Sequence, residues 1–310
     1  MPNTKIPQFP DFIKLTAAHQ AELQQLVGRN HLYSDYNFIS LWSWDHQAQL
    51  QLCLLNDNLV IRFQDYLNPT DYFYSFLGMQ ATDETARTLL QRSQQEGIQQ
   101  LRLIPQFVIE NLEQPADFII TEDRDSFDYI IAVGDAITLN GYSDSKKRAL
   151  HKIQREHGHH LKVQELDIRH DSTVEQILRL FDKWSAQSNT TTAYKENELN
   201  AIKKLVKGTT LVDTANLHVL GLFIDGQLSA FSINEVLADG FAMGHFKKAV
   251  RDYKGLGVAL DHYTAKSLAA RGVTHVNHEQ DMGLEGLRRS KLGSNPVYFL
   301  KKYTLSLASD

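Results

Sequence analysis

The sequence predicts an α/β chain of mixed sheets, made of two similar halves. Two observations carry that prediction. Read for hydrophobic period, each half runs strand, two helical segments, three strands, helix, strand, helix, strand. The second half also places a glycine-containing turn, 251–259, between its three-stranded meander and a helix.

In the first half, Phe12 to Leu15 is a short strand, and Thr16 is the expected N-cap of a helical stretch in which Leu23, Leu26 and Val27 share one face. After a polar, aromatic segment from Ser34 to Trp44, the runs Gln49 to Leu55 and Leu59 to Gln64 flank Asn56-Asp57-Asn58 and predict a hairpin. Tyr72 to Leu77 is a third strand. Thr82 starts a helix with acids in its first turn, which stops at Gly97. Leu101 to Ile104 is a strand, Pro105 to Leu112 a short helix and Phe118 to Thr121 another strand.

In the second half, Leu161 to Leu166 is a strand and Ser172 to Gln187 a helix that turns Ile177, Leu178 and Phe181 inward. A second helix spans Glu196 to Lys207. Leu217 to Ile224, Gln227 to Val236 and Phe241 to Phe246 form a meander whose turns, Asp225-Gly226 and Asp239-Gly240, are strong hairpin signals. Gly255 to Arg271 is helical, Thr274 to Asn277 a strand, Leu284 to Lys291 a helix and Val297 to Tyr303 a final strand. The predicted domains are 1–122 and 123–310. One continuous mixed sheet would use the same strands.

The 310 residues include 22% charged and 42% hydrophobic residues, the balance of a folded globular chain. Met1 to Pro10 lacks a basic start followed by an apolar stretch, and no run approaches about 18 apolar residues. A cytoplasmic chain without a membrane span is expected. The single cysteine, Cys53, rules out an internal disulfide and is expected in the core. A net charge of −5 argues against a generally basic nucleic-acid surface but leaves room for a local one. Such a patch runs from Lys146 to His160, where nine basic or histidine side chains face only Glu156.

In the turn Arg251-Asp252-Tyr253-Lys254-Gly255-Leu256-Gly257-Val258-Ala259, glycines without side chains and the amides of a helix start suit a phosphate. Arg251, Lys254, Gly255, Gly257 and Ala259 are the candidate cofactor contacts. The element order resembles the GNAT acyltransferase fold, in which such a turn holds the pyrophosphate of an acyl-coenzyme A. Asp252 departs from that family's pattern, which has Gln or Arg three positions before the first glycine. The matching turn of the first half, Phe76 to Ala81, has one glycine and no nearby Lys or Arg. That half is expected to bind no donor and to shape the acceptor site.

The stretch Asn277-His278-Glu279-Gln280-Asp281-Met282-Gly283 through Pro296 resembles the closing motif of the DUF2156 family. That family is related to the C-terminal domain of phosphatidylglycerol lysyltransferase and, more distantly, to the Fem peptidyltransferases. Ser34-Asp35-Tyr36-Asn37-Phe38 with Leu41-Trp42, and Asp123 to Tyr129 followed by Leu139-Asn140-Gly141-Tyr142 and Lys146-Lys147-Arg148, support the match. His278 and Gly293-Ser294-Asn295 depart from the usual motif. The resemblance implies a tandem GNAT-like fold and transfer of an acyl or aminoacyl group, from acyl-coenzyme A or aminoacyl-tRNA, onto an amine or hydroxyl.

Such a transfer needs a base or an anchor for the attacking group, and Glu279 and Asp281 are the first candidates. Capping of the following helix is the plainer reading of both acids. Glu235 and His245 are further candidates for proton transfer, with a buried, satisfied His245 as the alternative. Arg288 and Lys291, three residues apart, suit a phosphate, a carboxylate or an oxyanion. Within the predicted helix Ser143 to Gly158, Leu150, Ile153 and His157 lie on one side, and Arg148, Lys152 and Arg155 line another. Lys147 and Arg148 are candidate donor contacts there, and the stripe suits a tRNA acceptor stem, an anionic lipid or plain solvation. Asp35, Tyr36, Trp42 and Trp44 are expected either in a pocket or in the core. His157, His159 and His160 lack a metal-binding pattern, so no metal is expected. The partners expected are a small-molecule or lipid acceptor and a tRNA. A non-catalytic small-molecule or nucleic-acid binding module on the same fold is the competing reading.

Overall fold

The computed structural model describes residues 5–28, 32–65 and 70–308. In chain order its elements are β1 (Ile13–Lys14), α1 (Gln20–Val27), α2 (Phe38–Trp44), β2 (Gln51–Leu55), β3 (Asn58–Gln64), β4 (Tyr72–Leu77), α3 (Thr82–Gln95), β5 (Leu101–Pro105), α4 (Gln106–Glu110) and β6 (Phe118–Glu122). There follow β7 (Asp128–Ala132), α5 (Val133–Thr138), α6 (Asp144–His157), β8 (Leu161–Glu165), α7 (Asp171–Gln187), α8 (Thr192–Lys207), β9 (Leu217–Ile224), β10 (Gln227–Val236) and β11 (Phe241–Ala249). The chain closes with α9 (Leu256–Ala269), β12 (His275–Asn277), α10 (Glu285–Leu292), β13 (Tyr298–Leu300) and β14 (Lys302–Leu307). Two compact units result: Met1–Asp128 with Gln280–Gly283 and Leu300–Asp310, and Tyr129–Glu279 with Leu284–Phe299.

The first unit holds the antiparallel sheet β1-β2-β3-β4 and a three-stranded sheet, β5-β14-β6. Asn56 and Asp57 both adopt positive φ, so the β2–β3 connection is a two-residue turn whose twist matches the strands it joins. Cys53, Tyr74, Phe76, Leu89 and Ile104 share this unit's core, where burial pushes the Cys53 thiol pKa up. Asp35, Tyr36 and Trp42 are buried too, which settles them as interior residues.

The second unit is built on one seven-stranded sheet, β13-β7-β12-β11-β10-β9-β8. The strands β8 to β11 are antiparallel, and β12 joins β11 in parallel. The two units therefore repeat one strand series. In the first unit the last strand of the chain, β14, lies between β5 and β6, and in the second β7 lies between β12 and β13.

Several local expectations change. Thr16 caps the 3-10 turn Ala17–His19, with the His19 ring accepting its backbone N–H, and not α1 itself. Leu26 is 39% exposed, and Leu178 is only half-buried while Val174, Ile177, Leu180 and Phe181 carry the buried face of α7. The helix expected from Glu196 begins at Thr192, because the Thr191 hydroxyl accepts the Tyr194 N–H. The single last strand is two, β13 and β14, and the second of them pairs with β5 and β6 of the first unit. The run that becomes β7 was expected as a motif rather than a strand.

One charged cluster pins β14 in place. The Lys302 side chain is fully buried, donates to Asp128 Oδ1 at 2.7 Å and to Ser34 Oγ at 3.3 Å, and pairs with Asp35. Ser34 in turn donates its N–H and its hydroxyl to Asp128, at 2.8 and 2.7 Å. Burial by itself would favour the neutral amine, but the Asp128 and Asp35 carboxylates outweigh it and raise the Lys302 pKa. Lys302→Met leaves two buried carboxylates without their cation and is expected to cost about 3–5 kcal/mol, read from urea denaturation. A midpoint equal to that of the unchanged protein refutes this role.

Candidate functional site

The second unit brings three of the expected residues into contact. Between β10 and β11, Ile233 pairs with Phe246 and Asn234 with Gly244, so His245 is the extra residue of a β-bulge. A bulge re-aims a side chain out of the regular alternation. His245 Nε2 lies 3.4 Å from Glu235 Oε2 on β10, and Nδ1 lies 3.3 Å from Glu279 Oε1 in the turn after β12. Glu279 adopts φ 58°, uncommon for a residue with a side chain, and its N–H donates to Asn277 Oδ1 at 2.6 Å. Backbone strain of this kind persists where neighbours over-determine it, and Asn277 is buried.

The three side chains differ in access: His245 is 1% exposed, Glu235 6% and Glu279 14%. Burial disfavours the imidazolium, yet hydrogen bonds to Glu235 and Glu279 overcome it and raise the His245 pKa to about 9. At neutral pH the ring is thus a cation, with Nδ1 hydrogen-bonded to Glu279 and Nε2 within ion-pair distance of Glu235. Of the three side chains Glu279 is the most exposed. Tyr194 of α8 lies in the field of the same site: burial, with Glu198 and Glu279 adding to it, raises its hydroxyl well above the usual value. The Lys248 ammonium, on β11, pairs with Glu198 at 2.5 Å and lies 4.4 Å from the Trp184 ring centroid.

Beside this cluster the sheet opens. Only Phe241, Ala242 and Met243 of β11 pair with β12, whose last residue is Asn277, whereas β11 continues to Ala249. From Gly244 onward β11 runs on without β12 beside it.

The glycine turn sits where the element order predicts, ahead of α9. Gly255 has φ 96°, and a Cβ there would lie 2.4 Å from the Ala149 carbonyl oxygen, so the turn packs directly on α6. The His157 ring meets Tyr253 edge-on at 5.0 Å. Gly257, in the first turn of α9, is exposed and faces open space, while Arg251 and Lys254 are exposed and Ala259 is buried. Asp252 pairs with Lys183 of α7 at 2.5 Å and accepts from Gln187 Nε2 at 2.7 Å, and Gln187 accepts the Arg251 N–H. The unusual acid thus ties the turn to α7, and Lys183 holds its carboxyl below the usual range. In the first unit the corresponding turn is filled. Asn58 donates to the Gln80 carbonyl at 2.6 Å and accepts its N–H, and a Cβ on Gly78 would meet the Asn58 side chain at 2.0 Å.

The remaining candidates scatter. Asp281 belongs to the first unit, fully buried, with Arg124 at 3.4 Å and the Gly283 N–H at 2.9 Å. Neither Glu279 nor Asp281 caps α10, whose N-cap is Leu284. Arg288 and Lys291 are half-buried along α10, and Lys147 is half-buried and Arg148 exposed on α6. Sequence reasoning missed Asn277 and Tyr194 as parts of the site. Asn277 opens the C-terminal motif, a signal that was present, whereas nothing local marks Tyr194.

The His245 pKa carries a test. Because the folded value of about 9 exceeds the ordinary 6.5, the cluster stabilises the fold fully below pH 6.5 and loses that contribution as pH rises through about 9. Proton NMR of the ring should show this high midpoint, and Glu279→Gln should lower it. A midpoint near 6.5 in the unchanged protein contradicts the proposed pairing.

Comparison with known proteins agrees with the fold. A family model described as phosphatidylglycerol lysyltransferase, C-terminal, matches residues 29–306. A conserved protein of unknown function from Bacteroides thetaiotaomicron superposes with TM-score 0.79 at 22% identity, covering 96% of this chain and 99% of that one. The C-terminal domain (DUF2156) of a candidate lysylphosphatidylglycerol synthetase from Agrobacterium fabrum gives TM-score 0.62 at 12% identity, covering 95% and 93%. The structure of L-PGS from Bacillus licheniformis gives 0.56 at 12%, covering 99% and 95%. At these identities the likeness speaks for the fold. No curated protein matches the chain. With 278 consecutive residues matched, the mixed α/β chain belongs to the family of phosphatidylglycerol lysyltransferase C-terminal domains.

Proposed function

We propose that the chain transfers an aminoacyl group from a charged tRNA onto an amine or hydroxyl acceptor, with Glu279 as the base. The observation that carries this reading is the Glu235–His245–Glu279 cluster beside the opening between β11 and β12. An acceptor N–H or O–H gives its proton to Glu279 while its nitrogen or oxygen attacks the acyl carbon. The ester C–O bond then breaks, and the departing ribose oxygen takes up a proton. His245, held as an imidazolium, fixes the Glu279 carboxylate through Nδ1. Two carboxylates against one imidazolium also favour the ammonium of an aminoacyl group.

Two features favour a charged tRNA over acyl-coenzyme A. Asp252 occupies the turn and is itself engaged with Lys183, which leaves the turn less cationic. The exposed Arg148, Lys152 and Arg155 lie on α6, the helix against which the turn packs. The reaction named for the family, lysyl transfer to phosphatidylglycerol, puts a lipid hydroxyl first among acceptors. A charged tRNA as donor places the reaction in the cytoplasm, and among the described residues no helix is long and apolar enough to cross a membrane.

The test is a transfer assay with charged tRNAs and with acyl-coenzymes A, offered phosphatidylglycerol vesicles and simple amines. Glu279→Gln is expected to lower kcat/KM by about 10²- to 10⁴-fold in a chain that still folds, far more than its modest loss of stability explains. Gly257→Glu is expected to weaken stabilisation by an anionic donor, since it adds a carboxylate to the open first turn of α9. Absence of transfer and of thermal stabilisation with every donor would leave the non-catalytic binding module as the correct reading.

A further inference from the structure

A second cluster in the same unit plays no part in the chemistry above. It draws on α6, β11, α9, the turn after β12 and α10. Lys247 of β11 pairs with Asp261 of α9 at 2.5 Å. Lys146, in the first turn of α6, lies 5.3 Å from the Tyr142 ring centroid and so close to Gly293 that a Cβ there would sit 2.7 Å from its ammonium. Lys291 of α10 lies 5.9 Å from the Tyr129 ring centroid. His278 follows β12 and approaches Gly244, where a Cβ would lie 3.6 Å from its ring. Among the described residues the Lys146 ammonium, half-buried, has no hydrogen-bond acceptor.

Three ammonium groups and one carboxylate therefore share a small region of a chain whose net charge is −5. The field is felt by the groups inside it. Burial, then the charges of Lys247, Lys291 and Lys146 against that of Asp261, depress the His278 pKa to about 3. Burial and Lys247 likewise lower that of Lys146, with Asp261 opposing. His278 thus stays neutral and adds an N–H donor without adding charge. A half-buried Lys146 ammonium with no acceptor opposes folding unless an anion answers it.

We propose that Lys146, Lys247 and Lys291, gathered around His278, form a binding site for a phosphodiester carried by one of the transfer substrates. Lysines are point charges with rotatable donors, and three of them arriving from separate elements suit the tetrahedral oxygens of a phosphate. A planar carboxylate is better matched by an arginine fork. This inference rests on Glu279 as the reacting centre. His278 precedes Glu279 directly, so the bound phosphate lies only a few bonds from the group that reacts. A 3′-terminal nucleotide bearing an ester on its ribose meets that requirement, and so does a glycerophosphoglycerol headgroup with a free hydroxyl. In coenzyme A the thioester is separated from the phosphates by the whole pantetheine arm, which does not fit.

The test is calorimetric titration of the folded chain with the trinucleotide pCpCpA and, separately, with glycerophosphoglycerol. The expected result is binding of one of them, weakened at least tenfold by Lys146→Gln and by Lys247→Gln, and unchanged by Lys162→Gln on β8. The probe that binds identifies which substrate supplies the phosphate. Binding of neither probe, or binding indifferent to both cluster substitutions, overturns the proposal. Should Lys146→Gln fail to fold, Lys247→Gln, at an exposed position, decides alone. Transfer activity that survives both substitutions alongside lysine-independent binding defeats this site and leaves Glu279 standing. Lysine-dependent binding without transfer from any donor defeats the proposed reaction and leaves the site standing.

Discussion

A lysine ammonium with no access to water organises the first unit. Lys302, Asp35 and Asp128 are all buried, and their charges are acceptable there only because each finds its partner. The three residues lie far apart in the chain, so satisfying them dictates where distant segments must end. Lys302 is the first residue of β14 and Asp128 the first of β7. The two strands that depart from simple sequence order thus both begin at the same ion cluster. Ser34, which donates twice to Asp128, brings the segment ahead of α2 to the same point.

The second unit uses the same ingredients to another end. In the Lys302 cluster every charged atom is enclosed, which suits a permanent joint. Around His245 the enclosure is incomplete, because Glu279 keeps some exposure and stands on a strained turn beside the gap between β11 and β12. A buried imidazolium between two carboxylates keeps one of them oriented without consuming it. In the proposed transfer, that arrangement would present a base at little reorganisation cost.

The two glycine turns show how one fold element diverges. In the first unit the Asn58 side chain occupies the space that Gly78 leaves, and it takes up the backbone groups of Gln80. In the second, Gly255 is used for close packing on α6, and Gly257 leaves the start of α9 open. Asp252 ties this turn to α7.

Much of this was legible in the sequence. Asn56-Asp57, Asp225-Gly226 and Asp239-Gly240 announced their hairpins, since left-handed turn residues act over a few positions. The periodic runs of α3, α7 and α9, the repeated element order and the place of the glycine turn were likewise set by local pattern. Glu279, Glu235 and His245 could be named as candidates, but not as partners. Their contact depends on a bulge that only strand pairing creates. The pairing of Asp281 with Arg124, the insertion of β14 between β5 and β6, and the pairing of Lys247 with Asp261 left no local trace. Hydrophobic period and turn chemistry record what a residue does with its near neighbours. Which buried charges meet, and which strand completes which sheet, is decided when segments hundreds of residues apart must satisfy one another's polar groups away from water.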